Sequence, residues 1–278
     1  MPPTERDRRA GRRTPGVSMK SRNPGRVLGA AIGLCAILLQ AATPAWAQRP
    51  PPPDRPIPPE QKVGKSPDPH NLEGVWYTRG YDRTYRQLDR SEPPFNPAGR
   101  AEWLRHIQAE KDGSPIGDAP TRCYPHGVPR LVASPYPIQI VQTPGMLTIL
   151  HEVGHNIRYV YMDQDHPKNP KLSFLGHSVG HWDGDTLVVD TIGFNDRTRI
   201  DEEGITHSLK LHMVERYRKI NDGQILENIM TIEDPEIFTK TWQARRNFDW
   251  RPDLRLSEYI CEENNRNVPN ERGFTTAK

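Results

Sequence analysis

Short turn signals separate β-branched and apolar runs along residues 138–233, and no helical pattern interrupts them. The strongest signals are Asp183-Gly184 and Asn221-Asp222-Gly223, which are typical of tight β-hairpins, and Pro144-Gly145 adds a third turn. Because parallel strands need long crossover connections, consecutive hairpins favour an antiparallel meander. The sequence therefore predicts a mainly β fold that closes into a barrel or forms a strongly curved sheet.

The predicted strands share alternating or β-branched residues bounded by turns, and they cover 72–78, 138–142, 146–152, 157–162, 175–182, 185–191, 209–219, 224–233 and part of 256–262. A short helix is predicted over 97–111, with Pro97 in its first turn. Residues 112–137 are rich in proline and glycine and are expected to form a long ordered loop.

The N-terminal segment is typical of a secretory signal peptide. An apolar run at 27–42 follows Arg22 and Arg26 and precedes the small-x-small sequence of residues 45–47. We expect cleavage after residue 47, with Met19 as a plausible start of translation, and a periplasmic or secreted location. A retained membrane anchor is the alternative, but the run is short for a span and ends at a cleavage pattern.

The rest of the chain divides into a proline-rich linker at 48–70, a single β domain at 71–265 and a tail at 266–278. Residues 1–47 carry eight of the 38 Lys and Arg and two of the 35 Asp and Glu, so residues 48–278 have 30 basic and 33 acidic residues. The net charge of +3 becomes −3, which gives no support to nucleic-acid binding. No stable membrane insertion is expected of the mature chain.

Two cysteines, Cys123 and Cys261, remain after the signal peptide is removed. An oxidising compartment favours a disulfide between them. The alternative is a catalytic thiol at Cys123 beside His126.

Two short motifs suggest catalysis, and the surrounding sequence argues against both. Residues 151–155 match H-E-x-x-H, in which His151 and His155 would bind zinc if they lay on a helix. The β-branched and aromatic residues at 157–161 favour a hairpin turning at 154–156 instead. Residues 176–180 match G-x-S-x-G around Ser178, but a hairpin turn follows at once and leaves no room for the helix of a nucleophile elbow.

Eight of the ten histidines lie between positions 126 and 212. A tight turn at Asp183-Gly184 would place His177 opposite Asp190 on one face of a hairpin, with Trp182, Leu187 and Val189 on the core face. A carboxylate partner would orient the imidazole and raise its basicity, as a general base requires. The alternative is a solvated surface pair.

The next strand continues this histidine-rich region. Lys210, His212, Val214 and Arg216 share one face, which would line a polar pocket in an open barrel or else face water.

Several segments together resemble a family of exported proteins from soil and aquatic bacteria for which no activity is established. They are residues 176–191 (GHSVGHWDGDTLVVDT), 207–217 (HSLKLHMVERY), 231–239 with Trp242, 123–130 and 259–264. In that family the positions matching His151, His155 and His181 vary, whereas those matching Glu152, Arg158, Trp182, Asp190, Glu215 and Arg216 recur. The resemblance implies that the zinc motif is incidental.

A looser resemblance is to lipocalin-like barrels, carried by Gly74-Val75-Trp76, which is similar to their G-x-W entry strand. The resemblance implies a barrel that holds a small molecule, and such barrels include carriers as well as lyases, isomerases and cyclases.

We therefore expect a small-molecule pocket and metal-free acid–base chemistry of the lyase, isomerase or cyclase type on a partly apolar substrate, with no cofactor. His177 with Asp190 would be the base and His207 or His212 the acid. Arg158 or Arg216 would hold developing negative charge, and Glu215, which directly precedes Arg216, is a further candidate catalytic residue. The alternatives are a non-catalytic ligand carrier and a zinc hydrolase using His151 and His155 or His177 and His181.

Overall fold

A computed structural model describes residues 66–261 and the backbone of two short strands near the C-terminus. The predicted signal peptide and most of the predicted linker lie outside the described residues. Among the described residues, no helix has both the length and the apolar character needed to cross a membrane.

Nine strands form one closed barrel, in which neighbours in sequence are neighbours in space. They are β1 (Gly74–Thr78), β2 (Ile138–Thr143), β3 (Met146–His151), β4 (Asn156–Met162), β5 (His177–Asp183), β6 (Thr186–Ile192), β7 (His212–Ile220), β8 (Ile225–Glu233) and β9 (Trp242–Trp250). A separate hairpin pairs β10 (Val268–Asn270) with β11 (Gly273–Thr275) within the predicted tail. The prediction of a mainly β, lipocalin-like barrel is confirmed at the level of architecture.

The last strand of the barrel, β9, lies at Trp242–Trp250, whereas the sequence predicted a last strand within 256–262. Residues 256–261 form no strand, and β9 closes the barrel by pairing with β1, with Trp76 opposite Trp250. The alternation in β9 is masked because Arg245 and Arg246 are adjacent, although Trp242, Ala244 and Phe248 are buried as alternation requires. These two adjacent arginines in the middle of β9 conceal the alternation of apolar and polar residues by which a strand is recognised in a sequence.

The barrel is mixed, whereas the sequence predicted an antiparallel meander. β4 and β5 run parallel and pair only through Val160–Met162 and Ser178–Gly180. The intervening residues, 163–176, are long enough to cross back to the starting end of the strand. The first half of β4 therefore has no partner in β5, and a gap opens there.

The predicted helix α1 (Pro97–Lys111) is present, and Asn96 caps it by accepting a hydrogen bond from the Gly99 amide at 2.8 Å. Gly99 approaches the backbone so closely that a Cβ would lie 2.5 Å from the Ile237 carbonyl oxygen. Trp103 is buried and stacks on Phe95, which fixes the helix to the barrel. The long loop contains two short 3₁₀ helices, Ala119–Arg122 and Arg130–Ala133.

The interior of the barrel is a packed core. Trp76 from the G-x-W sequence is 1% exposed, donates its indole N–H to the Leu72 carbonyl at 2.9 Å and meets Trp250 edge to face. Leu187 and Val189 are buried, as expected for the core face of their hairpin. Because large side chains fill this interior, the clefts described below lie on the outside of the barrel.

Candidate functional site

The β5–β6 hairpin turns one residue later than the sequence suggested, which shifts the pairing of the two strands by two residues. Its two-residue turn is Gly184-Asp185, with Gly184 at φ +56°, and Asp183 pairs with Thr186. Glycine at the first central position is what a type II′ turn requires. The partner of Asp190 is therefore Val179 and not His177, so the predicted direct pair was wrong. His177 and Asp190 are diagonal neighbours on the outer face of the hairpin.

A second histidine, His166, bridges His177 and Asp190. His166, in the crossover segment between β4 and β5, places its Nε2 2.9 Å from Oδ1 of Asp190 and its Nδ1 2.9 Å from Nδ1 of His177. The other carboxylate oxygen of Asp190 lies 2.9 Å from Nε2 of His212 on β7. Glu233 lies 3.6 Å from the second nitrogen of His212. We call His166, His177, Asp190 and His212 the histidine–aspartate chain.

The hydrogen-bond pattern fixes the protons of this chain when the imidazoles are neutral. Both nitrogens of His166 are engaged, and only the Nε2–H of His166 can donate to the carboxylate of Asp190. Its Nδ1 then accepts from the Nδ1–H of His177. This leaves Nε2 of His177 as a free acceptor, which is the arrangement a general base needs.

Local electrostatics favour these protonation states. Burial, together with His166, lowers the pKa of His177 below 6.5, so His177 is neutral near neutral pH. The hydrogen bond that His212 donates to Asp190 raises the pKa of His212 despite partial burial. Burial alone would raise the pKa of Asp190, but the hydrogen bonds from His212 and His166 lower it. The carboxylate is thus ionised when His177 is neutral.

His177 also lines a cleft of about 330 Å³ at the gap between β4 and β5. Its walls are mainly apolar or aromatic and come from both sides of the gap: Ile157, Tyr159, Tyr161, Phe174 and Leu175. Ile157 and Tyr159 are 44% and 45% exposed, although they are large apolar residues. The imidazole of His177 stacks on Tyr161 with ring centroids 5.2 Å apart. We call this space the β4–β5 cleft.

Arg158 connects this cleft to the interior of the barrel. Its guanidinium is 1% exposed and pairs with the fully buried carboxylate of Glu215. It also donates to Ser178 at 3.1 Å and to Thr191 at 2.8 Å, while its Nη1 has no partner among the described residues. Arg158 and Ser178 both line the cleft.

Glu215 is held from several directions at once. Its Oε1 accepts from the Tyr217 hydroxyl at 2.7 Å and from the Asn228 amide at 3.1 Å. Its position in the interior is a consequence of strand alternation, since Met213 and Tyr217 on the same face of β7 are also buried. The main role of Arg158 and Glu215 is therefore structural: they form an ion pair inside the barrel.

The other face of β7 points outward, so the interpretation that it lines a pocket inside the barrel was wrong. Arg216 lies there and pairs with Asp183 at 2.7 Å on the surface. His212 reaches the histidine–aspartate chain from that outer face. Alternation along the strand separates these side chains from the core.

His207 lies apart from the chain. It is buried against Phe194, its Nε2 is 2.8 Å from the Thr198 hydroxyl, and its Nδ1 is 3.0 Å from the Ser208 carbonyl oxygen. Burial lowers its pKa. The structure gives His207 a structural place and does not bring it to the acid–base residues with which it was grouped.

The H-E-x-x-H residues occupy a hairpin, as the sequence interpretation favoured. His151 ends β3 and is 4% exposed, Val153–His155 form a 3₁₀ turn, and β4 follows directly. His155 is exposed and accepts from the Tyr259 amide at 2.9 Å, whereas neither ring nitrogen of His151 has a hydrogen-bond partner in the described part of the chain. The two imidazoles do not share a helix face and do not fit a zinc site of that type.

The second histidine set also departs from a metal site. His181 is exposed, whereas His177 is engaged with His166. Within residues 66–261, no three His, Cys, Asp or Glu side chains are grouped so as to hold a metal ion.

Ser178 is not a nucleophile elbow. It lies inside strand β5, is 2% exposed and hydrogen-bonds with Thr191 at 3.0 Å. The helix that such an elbow requires does not follow it, because the hairpin turn does.

The predicted disulfide between Cys123 and Cys261 is confirmed, with Cα atoms 5.6 Å apart. The alternative of a free catalytic thiol at Cys123 is therefore wrong. The bridge ties the loop after α1 to the segment that follows β9.

Sequence reasoning brought His177, Asp190 and His212 to one region but missed His166. His166 lies in a crossover segment without strand periodicity, so no pairing rule placed it. The concentration of histidines between 126 and 212 was the signal that could have included it. No protein-family model matches the chain, and no curated protein matches it significantly.

Proposed function

We propose that this protein binds a small, partly apolar molecule in the β4–β5 cleft and carries out metal-free proton transfer on it, as a lyase, isomerase or cyclase. The observation that carries the proposal is the hydrogen-bonded chain from His177 through His166 to Asp190, which begins at the wall of an apolar cleft. The volume of the β4–β5 cleft, about 330 Å³, is near the lower end of the range usual for small-ligand sites.

In this proposal His177 Nε2 removes a proton from a carbon acid of the bound substrate. The imidazolium formed on His177 is stabilised through His166 by the carboxylate of Asp190, because each step of the chain is a hydrogen bond. The same imidazolium then returns the proton, either to another carbon of the substrate or to a leaving group. No external oxidant or reductant is needed.

The negative charge that develops on the substrate needs a donor. Arg158 lies in the lining of the cleft, and its Nη1 has no partner among the described residues. Because Glu215 already neutralises the guanidinium, Arg158 would act as a hydrogen-bond donor more than as a free cation. Arg216 is assigned no role here, since it pairs with Asp183 on the surface.

The test measures deuterium exchange at the α-carbon of a panel of small aryl ketones in D2O, by proton NMR, with the purified protein. We expect exchange above the buffer rate, at least about 100-fold slower with His177→Gln and intermediate with Asp190→Asn. His181→Gln is the matched control, since His181 lies exposed on the same strand and should leave the rate unchanged.

A carrier is the second candidate, because it would use the same apolar walls without turnover. Saturable binding of the ketones with no exchange in the wild-type protein, or exchange that is equal in His177→Gln, would contradict the catalytic role. In the first case the cleft would be a binding site only.

A further inference from the structure

A second cleft lies on the opposite side of the barrel, where residues 79–90 run beside β9. It has a volume of about 360 Å³ and shares no lining residue with the β4–β5 cleft. Its lining includes five arginines, namely Arg79, Arg86, Arg90, Arg245 and Arg246. One acidic residue, Asp82, lies among them. We call this space the arginine cleft.

The arginines converge because of the local fold. Arg79 continues the β1–β9 ladder by donating its amide to the Asn247 carbonyl at 2.7 Å, which brings the end of β1 beside Arg245 and Arg246. A tight turn follows, in which the Arg90 amide donates to the Gln87 carbonyl and the Gln87 amide to the Ser91 carbonyl. Arg90 sits at φ +72° in that turn. The chain thus accepts a backbone conformation unusual for a residue other than glycine at this position.

Nearby carboxylates lie within 4.0 Å of three of the five arginines. Arg79 pairs with Asp249 at 3.0 Å, and Arg245 shares Glu227 with Arg218. Arg86 lies 3.9 Å from Glu203, which is a weak contact. The arginine of each pair is partly exposed, although Glu227 is buried, so the N–H groups of the arginines that the pairs do not use stay available to a ligand.

Two arginines have no carboxylate partner among residues 66–261. The guanidinium of Arg90 is exposed and unpaired there. Arg246 donates only to the backbone carbonyls of Asp82 and Thr84, both at 3.1 Å, and lies 4.3 Å above the ring of Tyr85. These contacts hold its plane in place while leaving its charge uncompensated.

Two polar atoms in the same lining residues lack hydrogen bonds. The Nε of Arg246 and the Oδ1 of Asn247 are buried and have no hydrogen-bond partner within residues 66–261. Buried polar atoms are nearly always satisfied in folded proteins, so the orphaned Nε–H of Arg246 indicates that an acceptor, from a ligand or ordered water, belongs there. The Oδ1 of Asn247 is an acceptor and would need a donor such as ordered water. This observation is independent of the charge count.

We infer that the arginine cleft binds a small multivalent oxyanion, an organic compound that carries two or more carboxylate or phosphate groups. Planar guanidinium groups bind these oxyanions through paired hydrogen bonds. A cleft of this volume admits a small organic molecule with room for several arginines to reach it. The inference does not depend on the proposed acid–base function.

The test is isothermal titration of the purified protein with citrate and, separately, with pyrophosphate, at constant ionic strength. Citrate represents the carboxylate class and pyrophosphate the phosphate class, and acetate tests whether a single charge is enough. We expect saturable one-site binding of at least one multivalent anion. Arg90→Gln and Arg245→Gln should each weaken that binding by at least about tenfold, because each removes a charge-assisted hydrogen bond.

Arg218→Gln is the matched control. Arg218 shares Glu227 with Arg245 but lies outside the cleft, so its removal should change affinity less than twofold. Equal weakening by Arg218→Gln would show that the anion senses only general charge and would overturn the inference. Absence of binding of both citrate and pyrophosphate at millimolar concentration would also overturn it. Circular dichroism of each variant separates lost binding from lost folding.

Discussion

Arg158 on β4 and Glu215 on β7 form an ion pair inside the barrel, and each is no more than 1% exposed. The strands that carry them are not adjacent, because β5 and β6 lie between them. Ser178 and Thr191 on those two strands accept hydrogen bonds from Arg158 and bridge the span. One polar network therefore connects four consecutive strands beneath the β4–β5 cleft.

Breaking this pair should destabilise the protein strongly. Glu215→Gln leaves the buried guanidinium without its counterion, and we expect a loss of about 3–5 kcal/mol in the free energy of unfolding. Urea denaturation followed by circular dichroism measures it. Arg216→Met on the same strand should cost far less, since Arg216 is partly exposed. Comparable losses in the two variants would contradict the internal role of the pair.

His151 should make the protein sensitive to acid. Burial, with smaller effects from Arg158 and His126, lowers its pKa from 6.5 to about 3, so the unfolded chain binds a proton that the folded chain excludes. Its contribution to stability is complete above pH 6.5 and is lost as the pH falls towards 3, by up to about 1.4 kcal/mol per pH unit.

His151→Leu should flatten this dependence. Because neither ring nitrogen of His151 has a hydrogen-bond partner among the residues that the structure describes, the change breaks no hydrogen bond seen there. Unfolding free energies from urea titrations between pH 7 and pH 4 provide the measurement, with exposed His181→Gln as the control that keeps the wild-type slope. An unchanged slope in His151→Leu would show that other groups, such as His126, govern the acid response.

Asp190 should set the titration of His212. The hydrogen bond that His212 donates to the carboxylate of Asp190 is the main cause that raises the pKa of His212, so Asp190→Asn should lower that pKa. Imidazole NMR over a pH series gives the value directly. Asp183→Asn in the same hairpin removes a carboxylate that pairs with Arg216 and should leave His212 unchanged.

The same NMR spectra also test the protonation of His177, at the other end of the histidine–aspartate chain. In the wild-type protein His177 should titrate below 6.5 and, when neutral, should carry its proton on Nδ1. A neutral His177 protonated on Nε2 would contradict the proposed base, whatever the behaviour of His212.

The disulfide should contribute substantially to stability. Cys123 and Cys261 are 138 residues apart, and in the chain-entropy model a loop of that length is worth about 5 kcal/mol. Cys123→Ser with Cys261→Ser should lower the urea midpoint, and reduction of the wild-type protein should match it. A midpoint unaffected by either treatment would show that the bridge constrains little of the unfolded chain.

The sequence alone determined the class of fold and most of its elements. Period-two alternation and turn residues located eight of the nine barrel strands, because both signals depend on a few neighbouring residues. The first-turn proline of α1 helped to locate that helix for the same reason. The two cysteines left after residue 47 sufficed to predict the disulfide.

Tertiary structure decided the register, the parallel pair and the site. The position of the turn at Gly184-Asp185 moved the partner of Asp190 from His177 to Val179, and alternation cannot detect such a shift because it preserves the two faces. The crossover segment between β4 and β5 makes these strands parallel, which leaves the cleft between them, and it places His166 beside Asp190. Those contacts join residues distant in sequence, and their geometry depends on how the whole barrel closes.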